Sequence, residues 1–134
     1  RVWVTSHQVN TEGEKQVMKT ENKGRLSERE GVLYVLYEEK TEEGEVVKNL
    51  LKIEKELLRA SLKKSGAVSW KMVFEQGKYE KSEYQTPYGT LEIGDETKEV
   101  KAEKKEEKTS LQLVYTLFIQ GEKQADCRLE IMIR

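Results

Sequence analysis

The sequence is poor in the residue types from which catalytic and metal sites are usually built. It contains one histidine, His7, one cysteine, Cys127, and only two aspartates, Asp95 and Asp126. General acid–base pairs, zinc sites and thiol nucleophiles depend on these residue types, and no second histidine or cysteine stands at a ligand spacing. We therefore predict that the protein is not an enzyme, needs no cofactor and holds no metal ion.

Other absences exclude further classes of protein. Lysine plus arginine number 24 against 25 acidic residues, so the surplus of cations that strong nucleic-acid binders need is missing. The longest apolar run, Val32–Tyr37, is far too short to span a membrane. A lone cysteine cannot build a disulfide framework, and its free thiol fits a reducing, cytoplasmic compartment.

The class of protein that remains is a soluble globular one. The length of 134 residues corresponds to a single domain, residues 1–134. Nine glycines punctuate the chain, and the single proline, Pro87, forms a turn signal together with Gly89. Short segments between closely spaced turn signals are typical of an all-β sandwich or barrel.

Between these turn signals, apolar and polar residues alternate, for example at Val68, Trp70, Met72 and Phe74. A period of two with one apolar face predicts half-buried strands. We predict about eight to ten strands from eleven approximate ranges, of which the shortest are the weakest candidates: 1–10, 14–22, 32–40, 45–54, 56–64, 67–76, 82–86, 88–93, 96–104, 110–120 and 124–134.

Residues 46–64 do not follow this period. Their apolar side chains recur at three- and four-residue spacing, and Gly66 stands where a helix would end. Taken alone, the segment favours a helix over an extended chain, whereas the rhythm of the neighbouring segments favours strands.

Several short motifs occur together in one order along the chain. They are Tyr34-x-x-Tyr37-Glu38-Glu39, Gly44, Lys64–Val68, Phe74, Gly77, Tyr84, Thr86–Ile93, Thr97 and Leu113-Val-Tyr115. This order and spacing resembles the YwiB-like family of small, uncharacterised bacterial proteins, over roughly residues 30–134.

The resemblance implies an antiparallel, lipocalin-like (calycin-type) closed β-barrel. It also implies that residues 46–64 form two strands joined by a turn at Glu54–Glu56, and we adopt this prediction over the local helical pattern because tertiary context dominates β pairing. The family offers no catalytic residues that could be transferred to this chain.

A barrel of this size encloses a lumen that holds either side chains or one small ligand. An apolar and aromatic wall with a few polar tips suits a small hydrophobic or amphipathic molecule. The candidate lumen residues are Trp70, Met72, Phe74, Tyr84, Tyr88, Leu91, Leu113 and Tyr115. The alternative is that the same side chains simply fill the barrel, and that Tyr84 and Tyr88 serve cross-strand packing.

Two further features leave alternatives open. An inward Arg59 would hold an anionic group inside the barrel, whereas an outward one belongs to the surface. The run Val32–Tyr37 is apolar on both faces, so that one face needs a cover. A partner chain, the N-terminal segment or a helix from 46–64 would each provide it, and the first would make the protein a homodimer or a protein-interaction module.

Overall fold

The protein is built almost entirely of β-strands. The computed structural model describes residues 1–67, 69–86 and 88–134, and these form eleven strands and one short 3₁₀ turn. The strands are β1 (Val2–Asn10), β2 (Lys15–Asn22), β3 (Gly24–Arg29), β4 (Val32–Lys40), β5 (Val46–Glu54), β6 (Arg59–Gly66), β7 (Trp70–Glu75), β8 (Tyr79–Thr86), β9 (Gly89–Lys104), β10 (Thr109–Ile119) and β11 (Glu122–Ile133). Every pairing among them is antiparallel, which confirms the predicted all-β antiparallel class.

The strands form two sheets that face each other. One has six strands in the order β2-β1-β11-β10-β9-β8, and the other has five in the order β3-β4-β5-β6-β7. The chain passes from the first sheet to the second through a single residue, Lys23, between β2 and β3. At this crossover Gly24 lies against β4 and against Val2 of β1, so the two sheets are tied closely at this point.

The other edge is closed by side chains. Strands β7 and β8 lie close together, but no ladder joins them among the described residues. The Trp70 Nε1 atom donates a hydrogen bond to Ser82 Oγ over 3.1 Å, and the Trp70 ring meets Tyr84 edge-on with centroids 5.5 Å apart. A closed barrel is therefore not confirmed, and the observed architecture is a pair of antiparallel sheets joined at both edges.

The core lies between the sheets, where each strand contributes every second side chain. Along β4 the buried residues are Leu33, Val35 and Tyr37, so these three take the inner face. Tyr34 and Leu36 of the same run point outward, and Leu36 remains 38% exposed. The sequence left open which face of Val32–Tyr37 points into the core. The odd-numbered residues take that face, and the outward side chains of Tyr34 and Leu36 are only partly covered.

Residues 46–64 form two strands, as the resemblance implied, and the local helical pattern is wrong. Val47, Asn49, Leu51 and Ile53 of β5 are buried with a period of two. The 3₁₀ turn Lys55–Leu57 follows, and Leu58 has a left-handed φ of 48° that reverses the chain into β6. Pairing of β5 with both β4 and β6 outweighs the helical propensity of its leucines and lysines.

Strand β3 was missed, since no strand was predicted between residues 22 and 32. Of its inward residues only Leu26 is a packed hydrophobe, so its extended form depends on pairing with β4.

The predicted strands 88–93 and 96–104 are in fact one strand, β9. It runs straight through Gly94, over which the Tyr79 ring packs. Two predictions fall outside the described residues: the strand position of Val68 and the turn at Pro87. Over the described ranges, no helix has the length and apolar character that a membrane span requires.

Candidate ligand-binding cavity

A cavity of about 520 Å³ opens between the two sheets at one end of the molecule. Its wall on the six-stranded sheet is wholly apolar or aromatic, and consists of Tyr84, Leu91, Ile93, Leu117 and Ile119. Its opposite wall comes from the end of β4, the start of β5, the end of β6 and the start of β7: Glu39, Lys40, Thr41, Val47, Lys64 and Trp70. The cavity therefore presents an apolar surface on one side and a mixed polar surface on the other.

A second, more enclosed cavity of about 370 Å³ lies between the sheets, and it reaches the surface at Met18 of β2, which is 58% exposed. It shares Glu39, Lys64, Trp70 and Leu117 with the first cavity, so the two spaces adjoin. Its own lining includes Met72, Phe74 and Tyr115 as well as uncharged polar side chains of β1 and β2. Below it the sheets pack together without an opening, around residues such as Leu51, Leu111 and Ile131.

The polar wall is organised by a cluster of three hydrogen-bonded side chains. Lys64 Nζ donates to Glu39 Oε1 over 3.1 Å and to Asn49 Oδ1 over 2.9 Å, while Asn49 Nδ2 donates to Glu39 Oε1 over 2.8 Å. Asn49 is only 1% exposed, so its amide must be satisfied within the protein. We call these residues the Glu39–Asn49–Lys64 cluster. It holds an opposite-charge pair in a fixed position beside both cavities.

The structure brings most of the candidate lumen residues together at these cavities. Trp70, Tyr84 and Leu91 line the first cavity, and Met72, Phe74, Tyr115 and again Trp70 line the second. Leu113 instead belongs to the fully buried core and lines neither space. Tyr88 is fully exposed and lies outside both linings.

Cys127 is buried next to Tyr115, which lines the second cavity. The two residues are cross-strand neighbours on β10 and β11. Burial raises the pKa of the Cys127 thiol to about 11 and also raises the pKa of the Tyr115 hydroxyl. Both groups are therefore neutral at physiological pH, and Cys127 lacks the thiolate character that a nucleophile needs.

Asp95 is the buried carboxyl group closest to this pair along the sheet. It is 1% exposed, and Thr97 Oγ1 donates a hydrogen bond to its Oδ1 over 2.9 Å. Burial, together with repulsion from Glu80 on the neighbouring strand, raises the Asp95 pKa to about 7. This carboxyl is therefore partly protonated near neutral pH.

The other candidate residues lie away from the cavities. His7 is on the outer face of β1, with its Nε2 atom 3.5 Å from Glu130 Oε1. Arg59 takes the outer face of β6, because Ala60 and Leu62 take the inner one. Its nearest acidic group is Glu75, at 3.9 Å. In the parts of the chain that the structure describes, no three His, Cys, Asp or Glu residues are grouped as a metal site.

The sequence interpretation missed the Glu39–Asn49–Lys64 cluster. All three members continue the period-two inner face of their strands: Glu39 and Lys64 each follow its last apolar residue, Tyr37 and Leu62, and Asn49 lies within it, between Val47 and Leu51. The signal that could have identified them is their position: each lies two residues from a buried apolar residue of the same strand. A polar residue in step with an apolar strand face points inward even when its type favours the surface.

Comparison with known proteins agrees with this architecture. The chain is similar to the crystal structure of ywiB protein from Bacillus subtilis with a TM-score of 0.80 and 22% identity, over 97% of this chain and 87% of that one. This likeness supports the fold alone. No curated protein matches the chain. The family described as Domain of unknown function (DUF1934) matches residues 2–131. The chain therefore belongs to this YwiB-like DUF1934 family, as the motifs in its sequence had suggested.

Proposed function

We propose that the protein binds a small hydrophobic or amphipathic molecule in the cavities between its sheets and does not transform it. The observation that carries this proposal is the two-sided wall of the first cavity, which is apolar on the six-stranded sheet and polar on the five-stranded one. Ligand sites are typically concave and mostly apolar, with a few polar groups that fix orientation. A volume of about 520 Å³ lies within the range of such sites.

The rest of the proposal concerns the frame around the site. We propose that the crossover at Lys23 and the Trp70 contacts between β7 and β8 make the two sheets act as a lipocalin-like barrel around the ligand. A binding rather than catalytic role is supported by the protonated thiol of Cys127 and by the outer-face position of His7. The buried free thiol supports a reducing, cytoplasmic compartment.

Fluorescence of Trp70 offers a direct test of binding. The chain has two tryptophans, and the variant Trp3→Phe leaves Trp70 as the single reporter within the cavity wall. We expect 1-decanol to change the Trp70 emission and the change to saturate at micromolar concentration, below the limit of its solubility in water, which corresponds to about 8 kcal/mol of binding free energy. An emission that does not respond to any member of an aliphatic series would refute the proposal.

A cavity-filling variant separates specific binding from surface adsorption. Leu117 lines both cavities, so we expect Leu117→Trp to weaken 1-decanol binding about tenfold or more by calorimetry. Gln112 lies on the opposite face of the same strand, and Gln112→Trp is the matched control that should leave the affinity unchanged. Equal weakening in the two variants would mean that the ligand does not occupy the space between the sheets.

A second candidate function is self-association, as a homodimer or protein-interaction module, which the exposed strand β2 favours. Val17 and Met18 of β2 are 51% and 58% exposed. The strand lies at the edge of the six-stranded sheet, with β1 on one side only among the described strands. An exposed edge strand with apolar side chains can pair with a second copy of the chain.

Light scattering on a size-exclusion column tests the dimer. A dimer joined through β2 should dissociate in the Val17→Lys variant, because a charge would be placed at the contact. Thr5 lies next to β2 on the outer face of β1, and Thr5→Lys is a control with the same added charge away from the edge. A wild-type protein that stays monomeric at high concentration would exclude this function.

A further inference from the structure

Both cavities contain the same two charged side chains, and these neutralise each other. Lys64 Nζ lies 3.1 Å from Glu39 Oε1, and both side chains are about three-quarters buried. The pair is also anchored from below, since Asn49 donates to Glu39 and accepts from Lys64. A bound molecule therefore meets a wall that offers a hydrogen-bond donor and an acceptor side by side, but no net charge.

The remaining polar groups of the cavities are also uncharged, apart from one at the rim. In the second cavity they include Ser6 and Gln8 of β1, whose side chains make no hydrogen bond within the described residues. In the outer cavity Lys40 adds a positive charge, but it is exposed to solvent, where water and salt screen it. The interior thus has hydrogen-bonding capacity without charge.

We propose that the Glu39–Asn49–Lys64 cluster selects amphiphiles without a net charge, such as an aliphatic alcohol or amide. This inference rests on the proposed ligand-binding function and names its ligand class. A carboxylate head group would have to displace Glu39 from Lys64, and an ammonium group would have to displace Lys64 from Glu39. Either step leaves a partly buried charge without its partner, which is strongly unfavourable. A hydroxyl group can approach both atoms without breaking the pair.

A ligand series with one chain length tests the selection. We compare 1-decanol, decanoate and decylammonium by Trp70 fluorescence in the Trp3→Phe background. The Glu39→Gln variant leaves Lys64 unpaired, so we expect the ratio of decanoate to decanol affinity to rise about tenfold or more. Lys64→Met leaves Glu39 unpaired, and the ratio of decylammonium to decanol affinity should rise by a similar factor. Comparing each ratio between the wild type and a variant cancels the different aqueous solvation of the probes, because that solvation does not depend on the protein.

Matched controls come from the adjacent residues on the same strands. Glu38 and Lys63 are exposed on the outer face, so Glu38→Gln and Lys63→Met make the same charge changes outside the cavity. We expect neither to alter the affinity ratios. The double variant Glu39→Gln/Lys64→Gln restores a neutral wall and should restore the wild-type ratios, and circular dichroism confirms that each variant is folded.

The outcomes separate this inference from the proposed function. If the wild type and all variants bind none of the three probes, the proposed function itself fails. If the wild type binds, but Glu39→Gln and Lys64→Met change the ratios no more than their outer-face controls do, ligand binding stands and charge selection by the cluster is wrong. The same conclusion follows if the wild type binds decanoate or decylammonium more tightly than 1-decanol.

Discussion

Gly24→Ala is expected to lower the free energy of unfolding by about 3 kcal/mol, the upper part of the range for overpacked sites. A Cβ atom at Gly24 would lie 2.5 Å from the Leu36 carbonyl oxygen, 2.6 Å from Val2 Cγ2 and 2.9 Å from Tyr37 Cβ. The first of these is a backbone atom of the β4 ladder, which cannot move aside as a side-chain tip can. The strain falls where the chain changes sheets, so it acts on both sheets at once.

Denaturant-induced unfolding of the wild type and the variant measures this loss. Ser27→Ala is the matched control, because Ser27 lies on the same strand with its side chain on the outer face, and we expect a change within about 0.5 kcal/mol. A Gly24→Ala variant as stable as the control would show that β3 can shift away from β1 and β4. The two sheets would then be less tightly joined at this edge than the contacts indicate.

The extent to which this fold can be read from the sequence depends on how strongly each strand marks its inner face. Strands β7 and β10 alternate clearly, and Met72, Phe74 and Leu113, which were predicted to point inward, are buried. Strand β3 carries a single packed hydrophobe, Leu26, and its conformation is imposed by β4, so no local pattern reveals it. Gly94 suggested a break in β9, whereas the Tyr79 ring covers that glycine within a continuous strand.

In the candidate site, too, some residues can be predicted from the sequence and others cannot. The apolar and aromatic residues that line the cavities follow from alternation, which is why Trp70, Met72 and Phe74 were identified. The polar wall does not, because lysine and glutamate usually lie on the surface, and 37% of this chain is charged. Only the pairing of β4, β5 and β6 brings Glu39, Asn49 and Lys64 within hydrogen-bonding distance. Such long-range registers cannot be derived from one sequence.

The two aspartates of the chain have pKa values that are shifted in opposite directions. Each accepts a hydrogen bond from a threonine hydroxyl over 2.9 Å, Asp95 from Thr97 and Asp126 from Thr116. The Asp126 side chain is 53% exposed, and the Thr116 hydroxyl, together with Lys123 at 3.2 Å, lowers its pKa. Asp95 is 1% exposed, and burial raises its pKa to about 7 in spite of the same hydrogen bond. Desolvation therefore outweighs the hydrogen bond at Asp95.

Asp95→Asn is expected to stabilise the protein above neutral pH. In the unfolded chain the Asp95 carboxyl loses its proton near its ordinary pKa of 3.8, whereas in the folded protein it keeps the proton up to about pH 7. The raised pKa of Asp95 therefore stabilises the folded wild type relative to a protein in which Asp95 is ionised. This stabilisation is fully present below pH 3.8 and is lost as the pH rises to about 7. Asparagine cannot ionise, and its amide oxygen can still accept the Thr97 hydrogen bond. We expect a gain of about 2 kcal/mol at pH 8, roughly half of what the full shift corresponds to, because local water screens the charge.

Denaturant unfolding of both proteins between about pH 4 and pH 8 measures this difference, and subtraction removes the titration of all other groups. The gain in the Asp95→Asn variant should be small at the acid end and should grow until the pH passes about 7. Asp126→Asn provides a control of opposite sign. The lowered pKa of Asp126 stabilises the folded state at neutral pH and loses this effect as the pH falls, so its asparagine variant should be less stable than the wild type near neutrality and equal to it in acid. A pH-independent gain in Asp95→Asn, or the same sign in both variants, would mean that Asp95 ionises freely and that the interior beneath the cavities is already hydrated.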